Sequence, residues 1–406
     1  MAKLSIVTSG HFCTSPRVWR EADALSNAGH EVTVIGVSYD TRQAELDEQM
    51  LRTRRWRYRA AADLRGRSLS SQRRWQWARL RTRWGKMSLK RGWQQDPHAL
   101  GYGASALLDA ALGEKADLTI LHLEPALWVG TQLRRQGLAI GVDIEDWYSK
   151  NRPEASSQET QYLKRLEGEI LRASRHTTTM SRAMATALST AYDIPMPEVI
   201  YNSVPDRVAP APTPPDAPLR FMWFSQTIGP ARGLEDLCAA LVHLTGRWTL
   251  EIRGHAPHRT RDWLESLIPS NVRGHVQIEP PVPPDRLNAV VTENEVGLAL
   301  DPPTCPNKDL TVSNKMLQYL QTGLQVVAAD TAGVREVRDM MPKAVHLYTA
   351  GRVDNLAALM NRMIQQRAAI VGTRDLVFRT ANEIFGYDGQ APRLISSVER
   401  ALQRSR

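Results

Sequence analysis

The chain has 406 residues, more than one ordinary hydrophobic core organises and enough for two α/β domains. Its 42% hydrophobic and 23% charged residues exclude a disordered or fibrous chain. The formal charge of +9 is local, because fifteen Lys or Arg between Arg52 and Trp93 stand against one acid, Asp63, with five tryptophans among them. No apolar run reaches the roughly 20 residues of a membrane helix, and MAKLSIVTSG reads as a first strand and not as a signal peptide. Cys13, Cys238 and Cys305 form no CxxC pair and no disulfide framework, so a reducing cytoplasm is the expected compartment.

In chain order, KLSIV, a Ser-Gly turn, a helix over SPRVWREADALSNAG and the apolar run EVTVIGV form a βαβ unit. Val18, Ala22, Leu25 and Ala28 recur at helical spacing, and Gly29 ends the helix. ADLTILHLE, a helix to about Arg135 and LAIGVDIEDW repeat the pattern. A helix near Thr160–Ala173, HTTTMS, a helix to Tyr192 and PEVIYNSV follow. Strands alternating with helices predict a doubly wound parallel sheet. PDRVAPAPTPPDAPLR is proline-rich and aperiodic, and reads as an extended, semi-rigid linker. After it come LRFMWFS, a helix over Gly233–Leu244, WTLEIRG, a helix over Arg259–Leu267, VQIEPPV, and a helix over Asp285–Val291. VGLALD, a helix over Asn314–Gln321, QVVAAD, a short helix near Val334, AVHLY and terminal helices complete the chain. The layout is an N-terminal Rossmann-like domain (1–204, with a basic insert at 51–95), a linker (205–218) and a C-terminal Rossmann-like domain (219–385). A last helix (386–406) is placed to return to the N-terminal domain. Two such halves facing each other would hold ligands in a cleft at the carboxyl ends of their strands. Neither half has GxGxxG after its first strand, so no nicotinamide or flavin cofactor is expected.

SPRVWREADALSNAGHEVTVIG resembles the opening of the retaining GT-B glycosyltransferases of family four, the group 1 type. The resemblance extends through SRAMATALSTAYDIPMPEVIYNSVP, QTIGPARGLEDLCAAL and LEIRGHA. Its most informative stretch is TVSNKMLQYLQTGLQVVAADTAGVREV, similar to that family's SNKxxEYxxxGxPVV segment. The resemblance implies α/β GT-B architecture and transfer of a sugar from a nucleotide-diphosphate sugar, with retention and without a metal. Two readings stand beside it: a nucleotide-sugar epimerase of the same fold, and a binding or scaffold protein of weak activity.

Ser313 and Asn314 open a helix whose first amides lack intrahelical partners, and Lys315 adds a positive charge, a combination suited to a diphosphate. An isolated SNK would otherwise be an ordinary cap with a solvated lysine. The resemblance places Arg232 and Gly233 at the leaving diphosphate, where a cation acts on developing charge. A second basic residue usual a few positions earlier is replaced by Ser225 and Gln226, with Arg253 beside Gly254 as a candidate substitute. The family's two sugar- and ribose-reading glutamates fall on Leu310 and Gln318. Gln318 retains a hydrogen bond to offer, whereas Leu310 does not; Asp309 and Lys308 are its neighbours. Gln325 replaces the proline of the Gly-x-Pro turn.

In the N-terminal half, Thr8, Ser9, Gly10 and His11 form a turn at a strand end, suited either to approach by a sugar or to tight packing alone. DIEDWYS aligns with a segment bordering the transferred sugar, which makes Glu145 and Asp146 the catalytic candidates beside Asp143. His122 and Glu124 end another strand and are secondary candidates. The ten histidines show no HxxxH or HExxH spacing, and no metal is expected. The Arg/Trp stretch suits an anionic membrane surface on the cytoplasmic side, a helical insert packed on its domain, or, least well, nucleic acid.

Overall fold

The computed structural model describes every residue except 66–68, 94, 205–206 and 404–406. Parts of the basic insert, of the linker and of the last helix, as drawn from the sequence, therefore lie outside the described residues. The chain forms two compact units. One comprises Met1–Met180, Met184–Ile200 and the chain from Ala391 on; the other comprises Ser181–Ala183 and Tyr201–Gln390.

The first unit carries a seven-stranded parallel sheet. Its strands are β1 (Lys3–Val7), β2 (Glu31–Ser38), β3 (Arg57–Asp63), β4 (Leu118–His122), β5 (Ile140–Ile144), β6 (His176–Thr179) and β7 (Glu198–Val199). They run in the order β3-β2-β1-β4-β5-β6-β7. β4 and β5 are buried along their whole length, as strands covered by helices on both faces must be. Val398 and Ala401 of the C-terminal helix Tyr387–Gln403 join Leu4, Ile6 and Val34 in this unit's core.

The second unit carries β8 (Leu219–Thr227), β9 (Trp248–His255), β10 (Val276–Glu279), β11 (Val296–Ala299), β12 (Gln325–Ala329) and β13 (Val345–Tyr348). All six are parallel, in the order β10-β9-β8-β11-β12-β13. In each sheet the winding reverses once, between β1 and β4 in the first unit and between β8 and β11 in the second. Such switch points open a crevice at the strands' carboxyl ends, where open α/β sheets bind ligands.

One sequence expectation needs correction, and two features were not foreseen. The basic insert is not one element, because β3 lies within it. Its mostly exposed residues pair with β2, and Arg57 and Arg59 form ion pairs with Glu31 and Glu114. An edge strand this charged lacks the apolar signature of its neighbours. Helices Thr41–Leu51 and Ala104–Glu114 were not assigned from the sequence. The linker, finally, is strapped to its own unit. Arg374 donates to the Ala211 carbonyl (2.7 Å) and to Thr213 Oγ1 (2.8 Å), and Thr213 donates to the fully buried Glu295 (2.9 Å).

The first unit has a polar centre. Arg17 grips Asp143 through Nε (2.7 Å) and Nη2 (2.5 Å) and donates to the Ile200 carbonyl (2.7 Å). Thr178 also donates to Asp143 (2.6 Å). His122 Nε2 meets Glu21 (2.5 Å), while its Nδ1 stands 3.5 Å from Asp143. Burial opposes each of these charges, but the partners prevail. Glu21 is lowered to about 2 by His122 and His176, Asp143 is lowered by Arg17, and His122 is raised by Glu21. Asp143 and His122 are thus framework residues, with their polar atoms taken up inside the unit.

The pH dependence follows from these directions. The two carboxylates stabilise the fold above their unfolded values near ~4 and lose that contribution as pH falls toward their depressed folded values. His122 contributes fully below ~6.5 and loses its contribution as pH rises through its elevated folded value. We expect the melting temperature to peak between about pH 4.5 and 6.5. Arg17→Met should cost ~3–5 kcal/mol by stranding Asp143. A pH-independent melting temperature in Glu21→Gln and wild type alike would contradict this assignment.

Candidate active site

The second unit's switch point gathers a small group of charges. Asp301 follows β11, Lys315 lies in the first turn of the helix Asn314–Gln321, and Arg232 sits in the loop after β8. Lys315 Nζ stands 2.6 Å from Asp301 Oδ2, at ion-pair distance but without the alignment of a directed hydrogen bond. The ammonium also lies 4.9 Å from the centre of the buried Trp223 ring. Burial lowers the Lys315 pKa; Asp301 opposes this, while Arg232 and Lys308 add to the lowering. Arg232 and Lys308 thus act on the Lys315 charge along with Asp301, and Glu235 joins the Arg232 loop by accepting from the Ala231 amide at 3.0 Å.

The loop that carries Arg232 is held open by its backbone. Ala231 and Gly233 have φ of 58° and 77°, and a Cβ on Gly233 would lie 2.3 Å from the Leu300 carbonyl oxygen. Arg232 Nη1 donates to Ser225 Oγ at 2.9 Å. Ser225, found where a second cation was expected, thus orients the first one. The lysine's helix is tied to β8 by Tyr319, whose hydroxyl accepts the Phe224 amide at 3.1 Å.

Other predicted donor residues divide. Ser313 is the N-cap, with Oγ accepting from Met316 N at 3.3 Å. The side-chain oxygen of Asn314 accepts from the Asn202 amide. Gln318 donates to Asn288 at 2.7 Å, which leaves its carbonyl oxygen for a ligand. Arg253 does not join the crevice: Glu251 (2.5 Å) and the Pro280 carbonyl (2.7 Å) hold it. Gly254 is a packing residue, since a Cβ there would lie 2.5 Å from the Ser225 carbonyl oxygen. Asp309 is committed to the amide of Ala332 at 3.1 Å, so it does not replace the glutamate lost at Leu310. Gln325 fills the altered proline position by bonding Thr373 (3.0 Å) and His346 (2.8 Å). Asp301 and Trp223 were missed from the sequence. Neither belongs to a recognisable motif, and only the fold brings them to Lys315.

In the first unit, His11 is fully occupied. Its Nε2 accepts from the Tyr39 and Asp40 amides (3.1 Å each), so Nδ1 carries the proton and donates to Asp47 at 2.6 Å. A donor-binding role for the ring is therefore withdrawn. Gly10 is buried against Tyr39, while the neighbouring Thr8 hydroxyl is buried without a hydrogen-bond partner in the described structure. Beyond β4, Leu123 has φ of 70° and is followed by Glu124, which burial raises to about 7 despite its 2.7 Å bond to Arg152. Glu145 and Asp146 follow β5. Glu145 is half-buried, and its pKa is raised by burial, with Arg17 opposing and Asp143 and Asp146 reinforcing. Tyr148, buried beside these acids, has a hydroxyl with no hydrogen-bond partner among the described residues.

Four non-glycine residues have positive φ among the described residues. Lys115 and Asp193 terminate helices, whereas Leu123 and Ala231 sit at the two switch points. Backbone strain concentrated in this way is typical of functional sites. No group of three or more His, Cys, Asp or Glu among the described residues is placed to hold a metal ion.

Residues 14–205 match the family described as "Glycosyl transferase 4-like domain". No curated protein matches the chain. Among solved structures, the chain is similar to Anabaena Alr3699/HepE in complex with UDP-glucose, with a TM-score of 0.70, 15% identity, and 98% of this chain and 100% of that one covered. It is also similar to S. aureus TarM in complex with fondaparinux, α-GlcNAc-glycerol and UDP (TM-score 0.67, 9% identity, 99% and 100% covered). A third is the lipopolysaccharide outer core galactosyltransferase WaaB (TM-score 0.54, 17% identity, 94% and 99% covered). Both units thus have the Rossmann-like topology of the GT-B fold.

His11→Ala should lower stability by ~1–3 kcal/mol, the cost of stranding buried partners, and leave the Michaelis constant for the donor unchanged. A selective rise in that constant at unaltered melting temperature would return His11 to the donor site.

Proposed function

We infer that this GT-B glycosyltransferase binds the diphosphate of a nucleotide sugar at the β8/β11 switch point and transfers the sugar with retention, without a metal. The observation that carries this reading is the buried ammonium of Lys315 at the switch point, held beside Asp301 and Trp223, with Arg232 in the adjoining loop. A uridine donor is the first to test, because the similar HepE and TarM structures hold UDP-glucose and UDP.

In the reaction, the bond from the anomeric carbon to the diphosphate oxygen breaks and its electron pair leaves with the nucleotide. Arg232 and Lys315 stabilise the charge that develops there, and the first amides after Ser313 add their partial charges. The acceptor oxygen bonds to the anomeric carbon from the face the diphosphate leaves, and its proton passes to the departing phosphate oxygen. Glu145 and Asp146 are assigned to the sugar side, where a carboxylate orients a hydroxyl and shields the developing oxocarbenium ion. Gln318 offers its carbonyl oxygen to the ribose. The acceptor is a glycan, a lipid-linked glycan or a small molecule. An epimerase needs a denser set of acids around the sugar than Leu310 and the committed Asp309 supply.

Arg232→Ala and Lys315→Ala should each reduce donor turnover by ~10²–10³ and abolish thermal stabilisation by the nucleoside diphosphate. Stabilisation by UDP, GDP or dTDP will identify the base; stabilisation by none of them would remove the reading. Because the Lys315 pKa is lowered, affinity for the diphosphate should fall as pH rises, starting below the ordinary lysine value of ~10.4. Lys315→Arg should bind across that range without the loss. Glu145→Gln should suppress turnover while leaving diphosphate binding intact, and equal loss of both would reassign Glu145 to structure.

A further inference from the structure

We propose that the helix Leu69–Lys90 is an interfacial docking element that seats the first unit on an anionic phospholipid surface. The sequence favoured a segment that packs on its domain and meets a membrane, and the helix has one face packed on its unit and another left exposed. Its inner face is closed. Trp75 packs against Tyr39 and Tyr102, with ring centres 6.5 and 5.0 Å apart, and Thr82 and Leu89 are buried. Its outer face carries Trp77, Leu80, Trp84 and Met87, exposed to 71%, 58%, 48% and 40%.

At 3.6 residues per turn these four side chains fall within a sector of about 80°, a continuous apolar stripe along three turns. The helix contains seven Lys or Arg and no acid in its 22 residues. On the same helical projection Arg83 borders one side of the stripe and Arg81 the other, and exposed Arg73 continues its line one turn earlier. Beyond its end, exposed Trp93 lies under the guanidinium of Arg91 at 4.7 Å. An outward apolar stripe edged by cations fits a bilayer, because the aromatic and aliphatic side chains enter the acyl boundary while the cations meet anionic headgroups. A second copy of the helix would oppose seven cations to seven. A nucleic acid would leave Leu80 and Met87, two of the four stripe residues, without a counterpart.

The assignment is independent of the transferase reading, so the two fail separately. Sedimentation of the full chain with vesicles of phosphatidylcholine alone, or mixed with phosphatidylglycerol, tests it. Wild type should bind the anionic vesicles at least about tenfold more tightly than the neutral ones, with the preference reduced by salt. Trp77→Ala/Trp84→Ala should lose about tenfold or more of the anionic binding. Arg73→Glu/Arg83→Glu should lose the lipid-charge preference. These side chains point into solvent, so melting temperature and donor hydrolysis should stay at wild-type values. Leu80→Gln/Met87→Gln is the second apolar-stripe variant, should the tryptophan pair misfold. Absence of binding, equal binding to both vesicle types, or full binding by both stripe variants would overturn the proposal. So would self-association or binding to single-stranded nucleic acid that the stripe variants abolish while vesicle binding persists.

Discussion

A lysine ammonium pressed against an indole and paired with one off-axis carboxylate is an unfinished electrostatic arrangement. Burial works against the Lys315 charge, and Arg232 and Lys308 work against it further. Asp301 offsets only part of this, because the Lys315 pKa stays lowered beside it. A diphosphate linkage, with one negative charge per phosphate, supplies what is missing. Binding therefore need not create the site's order, because the strands, Tyr319 and Ser225 hold both cations before any ligand arrives. Preorganised charge of this kind acts most strongly where charge develops as a bond breaks.

The first unit solves the opposite problem. Its centre has a balanced set of charges, with Arg17 on Asp143 and His122 on Glu21, and these bonds tie the helix Pro16–Asn27 to β4 and β5. The residues immediately downstream, Glu124 and Glu145, are left with raised carboxyl pKa values. Neighbouring acids on the same strands thus divide their work. Asp143 is held ionised by a guanidinium and ties the helix to the sheet, while Glu145, two positions later, is half-buried with a raised pKa. Sequence alone does not rank Asp143, Glu145 and Asp146, because only the third dimension shows which of them Arg17 reaches.

The fold was largely legible, since buried parallel strands such as EVTVIGV leave unbroken apolar runs and the order of motifs repeats a known architecture. What escaped notice had a physical reason. β3 is an edge strand of arginines and alanines, and its pairing with β2 is written in no pattern of its own. The proline-rich linker lacks periodicity, so its attachment through Arg374 and Glu295 depends on residues far away in sequence. In the candidate site, Arg232, Ser313 and Lys315 could be named from their motifs. The occupation of Arg253, His11 and Asp309 could not, because each is held by a partner the sequence does not announce.

The tryptophans show the same limit and connect it to function. Trp56, Trp75, Trp77, Trp84 and Trp93 all stand among arginines, and by composition they are interchangeable. Trp56 is nevertheless buried against Phe12, with ring centres 5.0 Å apart, and Trp75 packs inward from the long helix. Trp77 and Trp84 come from other sides of the same helix and face solvent. A helix with apolar residues on opposed faces has a weak amphipathic signature, because the two faces cancel in any single-direction average. Once the inward face is assigned to Trp75, Thr82 and Leu89, the outward stripe can no longer be explained as core. A helix that packs on one side and exposes tryptophan, leucine and methionine between cations on the other is suited to join a protein surface to a lipid one.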